Sequence, residues 1–185
     1  MCKIATFLIV VFLLSGCNKT NGPLDQAFIL RESILQSNGC SFVSTITADY
    51  GEQIYVFSMS CVIDREGNLS FSVIKPDSIS GITGNISASG GDLTFDDKVL
   101  AFQTIADGQI TPVTAPWVFM NTLRSGYING STSQKDGYEI FIDDSYRDDA
   151  LRLIISVKND VPVSGEIYWS GRRVMSVTVE NFAYL

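Results

Sequence analysis

The feature that most constrains the fold is a switch in hydrophobic period at Ser41, after which apolar residues recur at every second position. This alternation is typical of half-buried antiparallel strands, which turn one face to a core and the other to solvent. Turn-forming residues separate the alternating stretches. The predicted strands span residues 41–49, 52–63, 68–75, 79–88, 92–95, 99–105, 138–143, 151–158, 165–170 and 173–180.

Two other stretches have the helical period. The first begins at Pro23, which suits a first helical turn, and continues to Asn38, which is followed by a glycine. The second runs from Pro116 to Gly126. The order is one helix, about six strands, a second helix and about four strands. We therefore expect residues 23–185 to form a single domain, mainly β in the α+β class, on one antiparallel sheet.

The N-terminus has the pattern of an export signal. Its apolar stretch over residues 4–14 is shorter than the roughly 20 residues that a membrane-spanning helix needs. The sequence Leu-Ser-Gly-Cys follows and ends at Cys17, and it resembles the lipobox that bacterial lipoprotein signal peptidase reads. Residues 1–16 are thus predicted to be a lipoprotein signal peptide and residues 17–22 a lipidated tether. The alternative is an ordinary signal peptide with a cysteine near its cleavage site.

This prediction fixes the expected location of the chain and one of its partners. A lipid on Cys17 holds the protein in the cell envelope, on the extracytoplasmic side of a bacterial membrane. The chain has 13 basic and 20 acidic side chains, a net charge of −7, and no basic cluster. Because proteins bind nucleic-acid phosphates chiefly through Lys and Arg, nucleic acid is not expected as a partner.

Two cysteines remain once the signal peptide is removed and Cys17 is acylated, and disulfides persist in the expected compartment. A two-residue turn at 50–51 sets Cys40 opposite Cys61, which predicts a disulfide between them. Two alternatives stay open. In the first, a register slipped by two residues pairs Phe42 with Cys61 and leaves the thiols diagonal. In the second, the two cysteines are buried free thiols.

Enzymatic activity and cofactors are not expected. The chain contains no histidine, which removes Ser-His-Asp and Cys-His catalysis and most zinc sites. The glycine motifs of nucleophile elbows and of nucleotide-binding loops are missing as well. The turn residues Arg172 and Arg173 are predicted to be solvated rather than to bind phosphate. Four acids are predicted to form a solvated hairpin tip, with a calcium site as the alternative: Asp143, Asp144, Asp148 and Asp149.

Two segments resemble the LolA/LolB lipoprotein-carrier superfamily. Residues 71–82, FSVIKPDSISGI, are similar to its strand–proline–turn–strand segment. Residues 161–182, VPVSGEIYWSGRRVMSVTVENF, are similar to its final hairpin. With the order of elements, the resemblance covers nearly the whole mature chain. It implies a strongly curved antiparallel sheet, an open half-barrel of about ten strands, with the N-terminal helix and a lid helix on its concave face.

The resemblance also implies a ligand, because members of that superfamily hold acyl chains or other lipids on the concave face. A packed core is the alternative, since a sequence does not measure unfilled space. Leu153 and Ile155 are expected on the same face. The predicted cavity residues are Phe42, Ile46, Tyr55, Phe57, Met59, Phe71, Val73, Trp117, Met120, Tyr138, Ile140 and Ile142.

Two functions are compatible with these expectations. The first is a membrane-anchored lipoprotein that binds a lipid, an acyl chain or another hydrophobic ligand in the half-barrel. The second is a non-enzymatic scaffold that docks an envelope or cell-wall protein while its interior stays filled. Because Cys17 ties the chain to a membrane, it is not expected to shuttle cargo as a soluble carrier does.

Overall fold

The computed structural model of the chain describes residues 22–94 and 106–185. The predicted signal peptide over residues 1–16, the lipidation site Cys17 and the tether up to residue 21 lie outside the described residues. So do Phe95, at the end of one predicted strand, and the whole strand predicted at 99–105.

The described residues form two α-helices, two short 3-10 helices and ten strands. The α-helices are α1 (Pro23–Gln36) and α2 (Ala115–Ser125), and the 3-10 helices are Asp77–Ile79 and Pro112–Thr114. The strands are β1 (Gly39–Asp49), β2 (Ile54–Asp64), β3 (Leu69–Lys75), β4 (Thr83–Ser87), β5 (Gly90–Thr94), β6 (Tyr127–Gln134), β7 (Gly137–Asp143), β8 (Arg152–Lys158), β9 (Val161–Trp169) and β10 (Arg172–Tyr184).

All ten strands belong to one antiparallel sheet with the order β5-β4-β3-β2-β1-β10-β9-β8-β7-β6. The first and last strands of the chain pair in the middle, where β1 lies between β2 and β10. Irregularities interrupt the register at Ser41–Val43 and at Arg173–Met175, and such bulges increase local twist and bending. Strands β5 and β6 stay at opposite edges. The sheet is therefore an open curved half-barrel, and the predicted fold class is confirmed.

Both α-helices lie on one face of the sheet, which we call the inner face. Helix α2 buries most of its residues there, and α1 buries Ala27, Leu30 and Ile34, which are spaced by three and four residues. Strand residues alternate accordingly, so that Ile140 and Ile142 of β7 are fully buried. In the described part of the chain, neither helix has the length and apolarity needed to cross a bilayer.

The predicted strands need correction in several places. The strand predicted at 79–88 is shorter, because Asp77–Ile79 forms a 3-10 turn and β4 begins only at Thr83. The predicted last strand continues beyond residue 180 to Tyr184. Strand β6 was not predicted at all. It forms a sheet edge with no buried residue, so it needs no alternating apolar side chains.

The predicted pairing of Cys40 with Cys61 is wrong. The loop between β1 and β2 has four residues rather than two, and Tyr50 N–H donates to the Gln53 carbonyl across it at 3.0 Å. The register is therefore slipped by two, with Phe42 opposite Cys61. Diagonal partners on antiparallel strands lie too far apart for disulfide geometry, and both cysteines are buried free thiols in the structure.

We expect both thiols to react slowly in the native protein. Burial raises the pKa of Cys40 to about 12 and raises the pKa of Cys61 above its usual range, so neither is a thiolate near neutral pH. Alkylation of the unacylated domain at pH 8, followed by mass spectrometry, should label both thiols only after addition of denaturant. A requirement for reductant before labelling would show a disulfide instead.

Candidate functional site

The inner face brings together most of the residues that were predicted to line a cavity. They belong to one continuous apolar cluster, which also includes the expected Leu153 and Ile155. Each of the following is at most 5% exposed: Phe42, Ile46, Phe57, Met59, Phe71, Val73, Met120, Tyr138, Ile140 and Ile142. The alternation of the strands therefore places a broad apolar surface beneath the two helices.

Two predicted cavity residues differ from the rest. Tyr55 is 44% exposed at the end of β2, where its ring lies against Tyr50 at a centroid distance of 5.4 Å and its hydroxyl donates to Gln53. Tyr55 is in phase with the buried residues of β2, so its side chain belongs to the inner face. It lies at the rim of the sheet beside the β1–β2 loop, where the helices do not cover it. Trp117 is only half-buried, and its indole Nε1–H donates to the Gly67 carbonyl at 3.0 Å.

Phe119 is a central residue of the inner face that the sequence reasoning missed. Its side chain is fully buried, and its ring lies against Gly165 of β9, where a Cβ would approach Phe119 Cε2 to 2.5 Å. A glycine in a strand interior often marks such a close approach. That signal was present in the sequence, because Gly165 interrupts an otherwise alternating strand.

Side-chain hydrogen bonds fix the two helices to each other. Arg31 of α1 donates from Nε to the Leu123 carbonyl at 2.7 Å and from Nη2 to the Gly126 carbonyl at 2.8 Å. These acceptors belong to the C-terminal end of α2, where carbonyls lack helical partners and the helix dipole favours a cation. Burial lowers the pKa of the Arg31 guanidinium. Arg31 thus holds α1 against α2.

Other polar contacts fix the helices to the sheet and its turns. Arg124 Nη2 of α2 donates to the Arg65 carbonyl in the β2–β3 turn at 2.7 Å, close to the Trp117 contact with Gly67. Tyr138 of β7 donates its hydroxyl to the Gln26 carbonyl of α1 at 3.2 Å. Helix α2 is therefore attached to one part of the sheet and α1 to another.

The buried Tyr138 makes the stability of the folded chain depend on pH. Burial, with smaller contributions from Asp160 and Tyr184, raises the pKa of Tyr138 to about 12. An unfolded tyrosine ionises near pH 10, so between pH 10 and 12 the unfolded chain loses this proton first and stability falls. Tyr138→Phe should lose less stability over that interval than the native chain, as measured by urea denaturation. Equal losses in the two proteins would contradict the assignment.

A cleft of about 440 Å³ opens on the outer face, beside the β7–β8 loop. Two ion pairs lie at the cleft: Arg152 Nε donates to Asp143 Oδ1 at 3.0 Å, and Arg147 Nη2 lies 2.5 Å from Asp149 Oδ2. Asp144 Oδ1 accepts the Leu151 N–H at 2.9 Å. The cleft is lined by Asp143, Arg147, Asp148, Ala150, Arg152, Ile154, Tyr168, Ser170 and Gly171.

Three acids of the predicted hairpin tip, Asp143, Asp144 and Asp149, therefore bond to their own loop and its flanking strand. Within residues 22–94 and 106–185, no group of three or more His, Cys, Asp or Glu side chains is placed to hold a metal ion. Arg172 and Arg173 are also engaged, with Asp49 at 3.3 Å and Glu166 at 2.6 Å. Hydrogen bonds from Tyr168 and Arg173 lower the pKa of Glu166. Three of the four charged residues that line the outer cleft thus form ion pairs, and the inner face is the candidate site.

The fold and the site together define a class of protein, an open antiparallel half-barrel whose apolar inner face is covered by two helices. No family model matches the chain, and no curated protein matches it. Similar solved structures include an uncharacterized conserved protein from Thermus thermophilus, with 13% identity and a TM-score of 0.48 over 89% of this chain and 88% of that one.

Two further solved structures are similar to the chain over most of its length. One is a LolA superfamily protein from Nitrosomonas europaea, with 11% identity and a TM-score of 0.40 over 84% of this chain and 92% of that one. The other is a putative outer membrane lipoprotein-sorting protein domain from Vibrio parahaemolyticus, with 4% identity and a TM-score of 0.37 over 86% and 91%. These likenesses concern the fold and assign no function.

Proposed function

We propose that this chain is a lipid-anchored bacterial envelope protein that binds an acyl chain or another hydrophobic ligand between its inner face and the two helices. It has no catalytic role. The observation that supports this proposal is the continuous apolar surface of the inner face, which extends under both helices. The predicted lipid on Cys17 would hold the domain at the membrane that supplies such ligands.

Ligand entry requires movement of a helix, because the inner-face side chains are packed in the structure. Helix α1 is the element suited to move. It buries three residues, Ala27, Leu30 and Ile34, whereas the shorter α2 buries seven. Its side-chain bonds to the rest of the site come from Arg31 and Tyr138. Ligand binding would replace the buried stripe of α1 by an acyl chain of similar apolar character.

Binding of a fluorescent fatty acid tests this proposal. Phe57 is 3% exposed on the inner face, and Ile54, on the same strand, is 67% exposed on the outer face. Phe57→Leu keeps an apolar side chain but removes the ring, and should weaken binding about tenfold. The matched control Ile54→Leu should bind like the native chain. Equal affinities of the two variants, or no binding by the native chain, would reject the proposal.

A protein-docking scaffold is a second candidate, and the outer face provides its supporting observation. Three apolar side chains of β2 are 42–67% exposed there: Ile54, Val56 and Val62. Aliphatic groups exposed together on one sheet face are typical of a docking surface. Capture of an envelope protein that fails with Val56→Ser but survives Phe57→Leu would favour this candidate over ligand binding.

A further inference from the structure

Helix α1 leaves a strip of apolar surface uncovered beside its buried stripe. Leu24, Phe28 and Leu35 are each 45–50% exposed. At 3.6 residues per turn their side chains fall within an arc of about 40°, and the strip extends about 16 Å along the helix. Partly exposed single apolar residues are ordinary in proteins, but an aligned row on a helix face calls for an occupant.

We infer that this strip lies on the surface of the lipid bilayer into which the Cys17 lipid inserts. The inference rests on the lipidation proposed above. Five residues, Asn18–Gly22, separate Cys17 from the start of α1 at Pro23. Even when fully extended they reach about 20 Å, so α1 stays next to the membrane whatever the domain does.

The geometry at the start of α1 brings the strip to the end of the tether. Gly22 N–H donates to Asp25 Oδ2 at 3.3 Å, and Leu24 is the second residue of the helix. The acidic Asp25 and Glu32 lie about 60–80° around the helix from the midline of the strip and stay in water when it contacts lipid. This placement allows the strip to contact lipid while the helix lies in the plane of the interface.

Because the Cys17 lipid already holds the chain at the membrane, a small apolar strip is sufficient to keep α1 in contact with the bilayer. Once the Cys17 lipid is inserted, contact between α1 and the bilayer is an intramolecular event at high effective concentration. Three partly exposed side chains therefore bind a surface that they would not bind when free. The same orientation places the site beneath α1 beside the lipid phase, so that movement of α1 and access for an acyl chain occur at one place.

The test places a tryptophan in the strip of the full-length lipidated chain, reconstituted into phosphatidylcholine vesicles with and without bromine on the acyl chains. Phe28→Trp is the probe, and Ile54→Trp, at a side chain 67% exposed on the outer face, is the matched control. Bromine should quench about half of the added emission of Phe28→Trp and about a tenth or less of that of Ile54→Trp. Leu24→Trp should behave like Phe28→Trp.

Vesicle flotation separates the two ways in which this test can fail. A chain that does not float has no lipid anchor, and both the proposed lipidation and the docking of α1 are then overturned. A chain that floats but shows equal quenching of Phe28→Trp and Ile54→Trp overturns the docking alone. Protection of Phe28→Trp from acrylamide without quenching by bromine also overturns it, because a second copy or another protein then covers the strip.

Discussion

Truncation of Phe119 to alanine is expected to lower the free energy of unfolding by about 3–5 kcal/mol, because the ring is fully buried between α2 and β9 and its removal leaves a cavity. Urea denaturation of the unacylated domain, residues 22–185, measures this loss. Phe28→Ala is the matched control. Its ring is 50% exposed on α1, and its truncation should cost about 1 kcal/mol or less.

The partner of Phe119 allows a sharper check. Gly165→Ala introduces a methyl group 2.5 Å from the ring, so the single variant should lose about 1–3 kcal/mol. In the double variant Phe119→Leu, Gly165→Ala, the smaller leucine makes room for the methyl group, and the combined loss should be less than the sum of the single losses. Strict additivity would show that α2 does not lie on β9 as described.

Replacement of Arg31 by methionine is expected to destabilise the domain by about 2–4 kcal/mol, since two charge-assisted hydrogen bonds are lost. The guanidinium joins α1 to two carbonyls at the end of α2, at 2.7 and 2.8 Å. Lysine reaches fewer acceptors in this geometry, so Arg31→Lys should fall between methionine and the native chain. Urea denaturation compares the three proteins.

Arg124→Met provides the control for Arg31. Arg124 also donates to a backbone carbonyl at 2.7 Å, but its bond is exposed to solvent and should contribute about 1 kcal/mol or less. Equal losses from the two substitutions would contradict the role given to Arg31. If α1 is the element that moves for a ligand, Arg31→Met should also speed the release of a bound fatty acid, whereas Arg124→Met should not.

Most of the fold follows from local patterns in the sequence. The alternation of Tyr138, Ile140 and Ile142 predicts a strand with one buried face, and β7 has that face. The helix predicted to end at Gly126 is α2, which ends at Ser125. Strand β6 has no such pattern, because an edge strand without buried residues is held by backbone pairing with β7.

The register of β1 and β2 shows where local patterns stop being sufficient. Pairing Cys40 with Cys61 and pairing Phe42 with Cys61 differ by two residues, so both put the same side chains on the inner face. The loop decides between them. Gly51 N–H donates to Asp49 Oδ1 at 2.7 Å, which favours a four-residue turn that hydrophobic alternation does not encode.

The sequence predicts which residues form the apolar surface of the candidate site. It does not predict whether a cavity is left between that surface and the helices. The sequence places Phe57 and Met59 on one face, and the structure buries both. The packing of the helices on the sheet depends on the contact of Phe119 with Gly165 and on the Arg31 bonds, which join residues distant in sequence. No local pattern contains those distances, so a filled core and a ligand site have the same sequence signature.

If the inner face holds a hydrophobic ligand, extraction of the purified protein with neutral organic solvent should release that ligand. This treatment releases non-covalent lipid and leaves a thioether-linked lipid on the chain. Secreted protein carrying Cys17→Ser avoids carry-over from detergent and membrane. We predict about one acyl lipid per chain in the extract by mass spectrometry, and less in Phe57→Leu. An extract without lipid, from a chain with native stability, would show that the inner face holds no such ligand.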